Sequence, residues 1–177
     1  FIPKSGVIKG IDVGVKERVY DNFIAAGFGN YTSPYFETFL HKHTRFQSEF
    51  GLSAKYNASF DNIENTLLDS DFSNLGMSLF YKQDERYFDW KVTVNSERNH
   101  YNWYGIDPNF IDNSILRFIN ERQEYNSFNA IGEMDFLDAY IDKSNLSFSY
   151  FNDDFNSEEI LMRLNTDLDI PTSFLRE

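Results

Sequence analysis

The chain has 177 residues, of which 41% are hydrophobic and 18% aromatic, and its formal net charge is −12 at pH 7. This composition excludes a collagen-like or disordered chain, and the excess of carboxylates argues against a nucleic-acid partner, because phosphate binding needs clustered cations. The absence of cysteine excludes disulfides, cysteine–zinc sites and thiol nucleophiles.

The first segment in chain order, residues 1–20, is rich in glycine and begins with Phe1 in place of an initiator Met. We predict an irregular lead-in or a glycine-rich first strand, and we expect the chain to be a processed or excised piece. The second segment, residues 21–177, is predicted to contain the strands and loops of the fold. Apolar and polar residues alternate with a period of two along nearly all of it.

The clearest alternation covers residues 75–82 and 88–95, two runs separated by the charged hairpin turn Gln83–Arg86. Successive side chains of a strand point to opposite faces, so each run has one apolar and one polar face. The apolar face of the two runs is predicted to be lipid-facing and to consist of Leu75, Met77, Leu79, Phe88, Trp90, Val92 and Val94. A helix would scatter these residues around its circumference, so both runs are predicted to be strands.

Other runs alternate in the same way and complete a predicted set of about eight strands: 23–28, 36–41, 52–59, 128–136, 146–150 and 160–170. Their predicted length, roughly nine to eleven residues, is what a tilted strand needs to cross a bilayer, whereas soluble strands average about five or six. Short connections at Gln83–Arg86 and Ala139–Ser144 alternate with long ones at Phe60–Ser73 and Arg98–Gln123. Within the last of these, residues 113–122 favour a short helix and a folded loop equally.

These patterns predict an all-β fold: an antiparallel up-and-down transmembrane β-barrel, or an incomplete section of about eight strands from a larger barrel. Its lumen-facing side chains are predicted to include Lys55, Asp89, Lys91, Glu133 and Arg163. The alternative is a soluble lipocalin- or sandwich-like ligand-binding domain, whose apolar face would form a dry core. Aromatic residues at strand ends and the alternating loop lengths favour the membrane barrel.

Two segments resemble a known family. Residues 25–35, AAGFGNYTSPY, resemble the first barrel hairpin of TonB-dependent receptor-like outer-membrane β-barrels of Bacteroidetes-type bacteria, and Asn99–Gly105 resembles the aromatic segment that starts a loop in that family. The likeness spans Asn22 to Phe155. No plug domain or TonB-box-like segment is visible, and the chain ends in Ser173–Glu177 rather than in a strand with a terminal aromatic residue. The resemblance therefore implies the N-terminal part of a larger barrel.

The resemblance also implies a location and a role. It implies a protein of the cell outer membrane that is receptor-like or transport-related, with an unknown ligand. The expected partners are outer-membrane lipid, the remainder of the barrel, and the barrel-assembly machinery, which would pair with the first and last strands by strand addition. The missing plug argues against active transport.

Residues with catalytic or metal-binding chemistry are sparse. His41 and His43 share a strand face, but no third ligand follows at metal-ligand spacing. The acidic stretch 61–71 lacks the spacing of an EF-hand and is predicted to be a solvated loop rather than a Ca²⁺ site. Glu133 and Asp135 lie on one face of one strand, where a polar lumen needs such residues anyway. We therefore predict no enzymatic activity, no metal and no cofactor.

Overall fold

The computed structural model describes residues 20–44, 47–106, 118–137 and 140–169. These residues form eight strands, hydrogen-bonded in chain order into one antiparallel sheet. The strands are β1 (Phe23–Gly29), β2 (Ser33–His43), β3 (Ser48–Ser59), β4 (Phe72–Asp84), β5 (Phe88–Asn102), β6 (Arg122–Phe136), β7 (Ile141–Asp153) and β8 (Glu158–Leu168). Within this part of the chain β1 pairs with β2 alone and β8 with β7 alone, so the sheet is open. The predicted all-β, up-and-down fold is therefore confirmed, as an open section of eight strands.

The connections differ between the two ends of the sheet. One end, named here the short-turn end, carries the connections β2–β3, β4–β5 and β6–β7. The other, named the loop end, carries the connections β1–β2, β3–β4, β5–β6 and β7–β8. Both long connections lie at the loop end, as predicted. Of the predicted turn Ala139–Ser144, Ala139 lies outside the described residues, and the prediction is wrong from Ile141 onward, because β7 begins there.

Most strands are longer than the alternation predicts. β5 and β6 each contain 15 residues, and β4 and β7 each contain 13. The additional residues of β5 and β6 are largely polar ones at the loop end, since β5 continues through Glu97 to Asn102 and β6 begins at Arg122. Backbone pairing continues there after the apolar alternation has stopped, so hydrophobic periodicity predicts strands that are too short.

Two predicted segments fall largely outside the described residues. These are the lead-in, of which residues 1–19 are not described, and the candidate helix at 113–122, of which 113–117 are not described. Residues 118–121 contain a turn and irregular backbone, and residue 122 begins β6. Among the described residues no helix is long and apolar enough to span a membrane.

The register keeps the apolar residues of neighbouring strands on the same side of the sheet. Leu79 pairs with Leu52 in β3 and with Val94 in β5, and Val94 pairs with Ala130 in β6. Directly paired residues point to the same face, so all seven residues predicted to be lipid-facing lie on one side, named here the apolar face. The opposite side, the polar face, carries Lys55, Asp89, Lys91, Glu133 and Arg163.

The apolar side chains of the sheet are not enclosed in a core. Among the described hydrophobic residues Ala58 alone is buried. On the apolar face Met77 is 47% exposed and Leu79 39% exposed, whereas Ser78 and Asn95 on the polar face are only partly exposed. No protein layer covers the apolar face within the described part of the chain.

Candidate functional site

The apolar face is continuous from β2 to β8. Its middle level carries one apolar residue from each of these strands: Leu40, Leu52, Leu79, Val94, Ala130, Phe148 and Met162. At about 3.4 Å per residue, the apolar positions from Leu75 to Tyr81 on β4 extend about 20 Å along the strand, and those from Phe128 to Phe136 on β6 about 27 Å. At a strand tilt of about 40° these lengths correspond to about 16 and 21 Å in height, the larger part of the band of about 25 Å that contacts lipid on a membrane barrel.

Aromatic rings border the apolar face at the short-turn end. The rings of Tyr81 and Trp90 lie 5.2 Å apart between centroids, and those of Phe88 and Phe136 lie 6.2 Å apart. Tyr87, in the adjoining turn, is 65% exposed. Tyrosine and tryptophan combine an apolar ring with a polar group, which suits a boundary between hydrocarbon and water.

Charged residues border the same face at the loop end. Glu124 accepts hydrogen bonds from Arg98 Nη2 at 2.6 Å and from Arg122 Nη2 at 3.0 Å. Both arginine side chains are more than half exposed, whereas Glu124 is largely buried between them. Leu75 is the direct cross-strand partner of Arg98. The apolar stretch of β4 therefore ends at the level where this Arg–Glu–Arg group begins.

Opposite charges and hydrogen-bonding groups meet across neighbouring strands on the polar face. Lys91 Nζ lies 3.7 Å from Glu133 Oε2, which brings together two of the predicted lumen-facing residues. Lys55 is paired in register with Glu37. Arg163 is paired with the small Ser147 on β7. The remaining predicted residue, Asp89, is paired with Asp84 and Asp135, and Lys143 Nζ reaches Asp135 Oδ1 at 3.4 Å.

The aromatic ring of Phe80 lies on the polar face, where the alternation of residues 75–82 places it, but the packing of this ring was not predicted. Phe80 lies over Gly51, its direct partner on β3: a Cβ atom at Gly51 would stand 2.0 Å from Phe80 Cε1. The ring lies between the imidazole of His41, at 6.2 Å between centroids, and Lys91 Nζ, at 5.8 Å from the ring centroid. The ring thus fills the space above a glycine, an arrangement that stabilises glycine-containing strand pairs.

The two histidines predicted to share a face both approach one carboxylate. His43 Nδ1 lies 3.4 Å from Glu49 Oε1, and His41 Nε2 lies 3.9 Å from Glu49 Oε2. Among the described residues no three histidine or carboxylate side chains are grouped closely enough to hold a metal ion. This cluster is a group of polar contacts between β2 and β3 at the short-turn end.

A cavity of about 480 Å³ opens at the loop end. We name it the loop-end cavity. Its lining combines carboxylates, tyrosines and buried polar residues: Tyr31, Ser59, Asp61, Ile63, Glu64, Ser70, Asp71, Phe72, Tyr101, Asn102 and Tyr104. Of these lining residues, Ser70 and Asn102 are buried, at 6% and 8% exposed. The cavity brings together the turn 30–32, the long loop 60–71 and the start of the connection after β5.

The loop 60–71 is held in shape by its own hydrogen bonds. Asn62 donates to Asp69 Oδ1 at 2.7 Å and accepts from the backbone N–H of Ser70 at 2.8 Å. The hydroxyl of Ser70 accepts from the backbone N–H of Ile63 at 2.7 Å. Asp71, the last residue of the loop, accepts from Asn102 and lies 3.7 Å from His100 Nδ1. The loop is therefore anchored to β5.

The acidic residues of this loop were singled out from the sequence, but the cavity itself was not. Asp61 and Glu64 line it, whereas Asp69 is used inside the loop. The aromatic wall consists of Tyr31 and, far from it in the chain, the neighbouring Tyr101 and Tyr104. These tyrosines belong to the two segments whose resemblance to a known family is described above. That the two segments meet follows only from the successive pairing of strands β1, β2, β3, β4 and β5.

Comparisons of the chain with protein-family models, with curated proteins and with solved structures find no match. The structure itself shows an open, all-β, up-and-down sheet with one apolar and one polar face. The resemblance to TonB-dependent receptor-like barrels stays a prediction.

Proposed function

We propose that this chain is a section of an outer-membrane β-barrel whose apolar face contacts lipid, and that the barrel is receptor-like or transport-related, with a ligand still to be identified. The observation that carries the proposal is the uncovered apolar face. Met77 and Leu79 are 47% and 39% exposed, and no protein layer of the described chain covers them. In lipid, this arrangement is the favourable one, because the hydrocarbon covers the apolar side chains.

The free energy that apolar burial contributes to folding in water also supports the membrane proposal. Burial of apolar surface contributes about 25 cal/mol per Å² and is the main favourable term in the folding of soluble domains. This sheet has little of that term available, since Ala58 is its one buried hydrophobic residue among those described. An apolar medium against the exposed face would supply the missing contribution.

The competing interpretation is a soluble lipocalin- or sandwich-like binding domain. In such a domain the apolar face would be the inner wall of the core, so its residues would be the most buried ones. Leu79 and Val92, at 39% and 38% exposed, do not fit that expectation. The ion pairs of the polar face, such as Lys91 with Glu133, suit a lumen that contains water.

The edge strands indicate what partner the section needs. An unpaired strand edge is not tolerated in hydrocarbon, because backbone N–H and C=O groups there have no water to bond. β1 and β8 each lack a second neighbour within the described residues. Further strands of the same barrel would satisfy both edges, and during assembly the machinery that inserts barrels would pair with them by strand addition.

The test is the dependence of folding on detergent or lipid. We expect the purified chain to aggregate in plain buffer and to gain stable β structure in detergent micelles or vesicles, with a band on SDS gels whose mobility changes on heating. A chain that is monodisperse and folded in buffer without detergent would contradict the membrane proposal and favour the soluble binding domain.

A further inference from the structure

The loop-end cavity holds more negative charge than its neighbours neutralise. Three lining residues, Asp61, Glu64 and Asp71, are carboxylates, and the lining described includes no lysine or arginine. Asp61 accepts a hydrogen bond from the hydroxyl of Thr32 at 3.1 Å. Because Thr32 is neutral, this hydrogen bond does not cancel the negative charge of Asp61. Asp71 accepts a hydrogen bond from the neutral amide of Asn102, and His100, whose Nδ1 lies 3.7 Å from Asp71, is outside the cavity lining. The cavity as a whole is therefore a region of negative potential.

Aromatic rings form the other part of the wall. Tyr31, Tyr101 and Tyr104 line the cavity together with Phe72. The faces of such rings attract cations, and the attraction is strongest for cations with little bound water, such as quaternary ammonium groups. Carboxylates and ring faces attract the same kind of ligand, and they are independent features of this cavity.

The volume of the cavity indicates whether a metal ion or an organic cation would fill it. Its volume of about 480 Å³ is much larger than a single metal ion requires. It falls within the range of about 300–1,000 Å³ that holds small organic ligands. We propose that the loop-end cavity binds a small organic cation, with a quaternary ammonium or guanidinium group held by the carboxylates and the tyrosine rings. This deepens the proposed receptor role, on which it rests for its orientation: at the loop end the cavity would open to the cell exterior.

The position of Tyr31 fits a ligand wall. Its backbone is in the left-handed region, with φ at 62°, which is unfavourable for a large aromatic residue. Its carbonyl is held by the hydroxyl of Ser59 at 3.2 Å and the backbone N–H of Asp61 at 3.4 Å. The turn thus carries a large ring at a position that favours glycine or asparagine, and that ring lines the cavity.

The first experiment compares two probes of the same shape. Choline carries a permanent positive charge, and 3,3-dimethyl-1-butanol is its neutral isostere. Trp103 lies between the lining residues Asn102 and Tyr104 and is 54% exposed, so its emission reports on the cavity once Trp90 is replaced in a Trp90→Phe variant. We expect saturable binding of choline and at least about tenfold weaker binding of the isostere. Equal binding of the two probes, or a response to Ca²⁺ and none to choline, would overturn the proposal.

The second experiment uses matched charge variants of the full chain. Glu64→Gln removes one negative charge from the cavity, and Glu85→Gln removes one from the short-turn end. We expect Glu64→Gln to weaken choline binding about tenfold and Glu85→Gln to leave it unchanged, because exposed charges a Debye length apart are screened. If both variants weaken binding equally, a general charge effect explains the result and the site is refuted.

A third variant separates binding from folding. Tyr31→Gly removes the ring and also relieves the positive φ, so we expect choline binding to fall while the unfolding midpoint stays the same or rises. Unchanged choline binding would remove Tyr31 from the site.

Binding is measured in whichever medium, buffer or detergent, keeps the sheet folded by circular dichroism. The membrane proposal and the cavity proposal can then be refuted independently of each other. A chain that folds in buffer and binds choline contradicts the membrane proposal alone, whereas a detergent-dependent chain without choline binding contradicts the cavity proposal alone.

Discussion

Replacement of Leu79 by arginine tests whether hydrocarbon covers the apolar face. Leu79 lies in the middle of the apolar stretch of β4, between Leu52 and Val94, and is 39% exposed in the sheet. Against the centre of a bilayer, an arginine on the lipid-facing side of a barrel costs about 2–4 kcal/mol. Against water, the same exposed substitution would change the free energy of unfolding by less than about 0.5 kcal/mol.

Leu75→Arg is the matched control on the same strand and the same face. Leu75 is four residues from Leu79, about 14 Å along the strand at 3.4 Å per residue. With a strand tilt of about 40°, this separation corresponds to about 10 Å in depth, which places Leu75 near the membrane boundary. The protein already carries an arginine at this level, because Leu75 pairs directly with Arg98. We therefore expect Leu75→Arg to cost only about 0–1 kcal/mol.

The assay is equilibrium unfolding by urea in phospholipid vesicles, followed by tryptophan fluorescence. We expect the Leu79→Arg variant to unfold at a clearly lower urea concentration than the Leu75→Arg variant. Equal losses at both positions would indicate a protein core rather than a depth-dependent medium. No loss at either position would place water against the apolar face and would refute the proposal that lipid covers it.

Three further predictions concern the sheet itself. Gly51→Ala places a Cβ atom against the ring of Phe80 and should lower the free energy of unfolding by about 1–3 kcal/mol. Gly76→Ala should leave it nearly unchanged, because no heavy atom lies within 4 Å of the Cβ position. Equal losses for both variants in urea unfolding would contradict the packing of Phe80 over Gly51. Phe80→Ala should remove most of the cost of Gly51→Ala, and additive losses in the double mutant would show that the ring does not lie over the glycine. The chain has no native cysteine, so one cysteine can be introduced on β1 and one on β8. In the isolated chain these two cysteines should not form an intramolecular disulfide, because the two strands are not neighbours in the open sheet. An intramolecular cross-link on a non-reducing gel would indicate a closed eight-stranded barrel.

The alternation of the sequence was sufficient to predict the faces of the sheet. The pattern at Leu75, Met77 and Leu79 and at Trp90 and Val92 has a period of two, and a register between the strands can keep such residues together only on one side. The number of strands followed from the same signal, because each hairpin interrupts it.

The strand ends and the loop-end cavity were not predictable from that signal. β5 continues to Asn102 through polar residues, whose pairing is determined by backbone hydrogen bonds to β6 rather than by hydrophobicity. Phe80 breaks the pattern of the polar face because Gly51, about thirty residues earlier in the chain, leaves room for its ring. Tyr31 meets Tyr101 and Tyr104 because strands β1, β2, β3, β4 and β5 pair in succession. The two segments that contain these tyrosines were singled out from the sequence, but neither segment indicates that it lies beside the other.

Fluorescence of the native Trp90 in vesicles tests the contact with lipid most directly. Trp90 lies on the apolar face beside Tyr81, and a Trp103→Phe variant leaves it as the sole tryptophan, since the chain has two. The account predicts strong quenching by phospholipids that carry bromine on their acyl chains and weak quenching by iodide in the aqueous phase. Efficient quenching by iodide together with no effect of brominated lipid would contradict it.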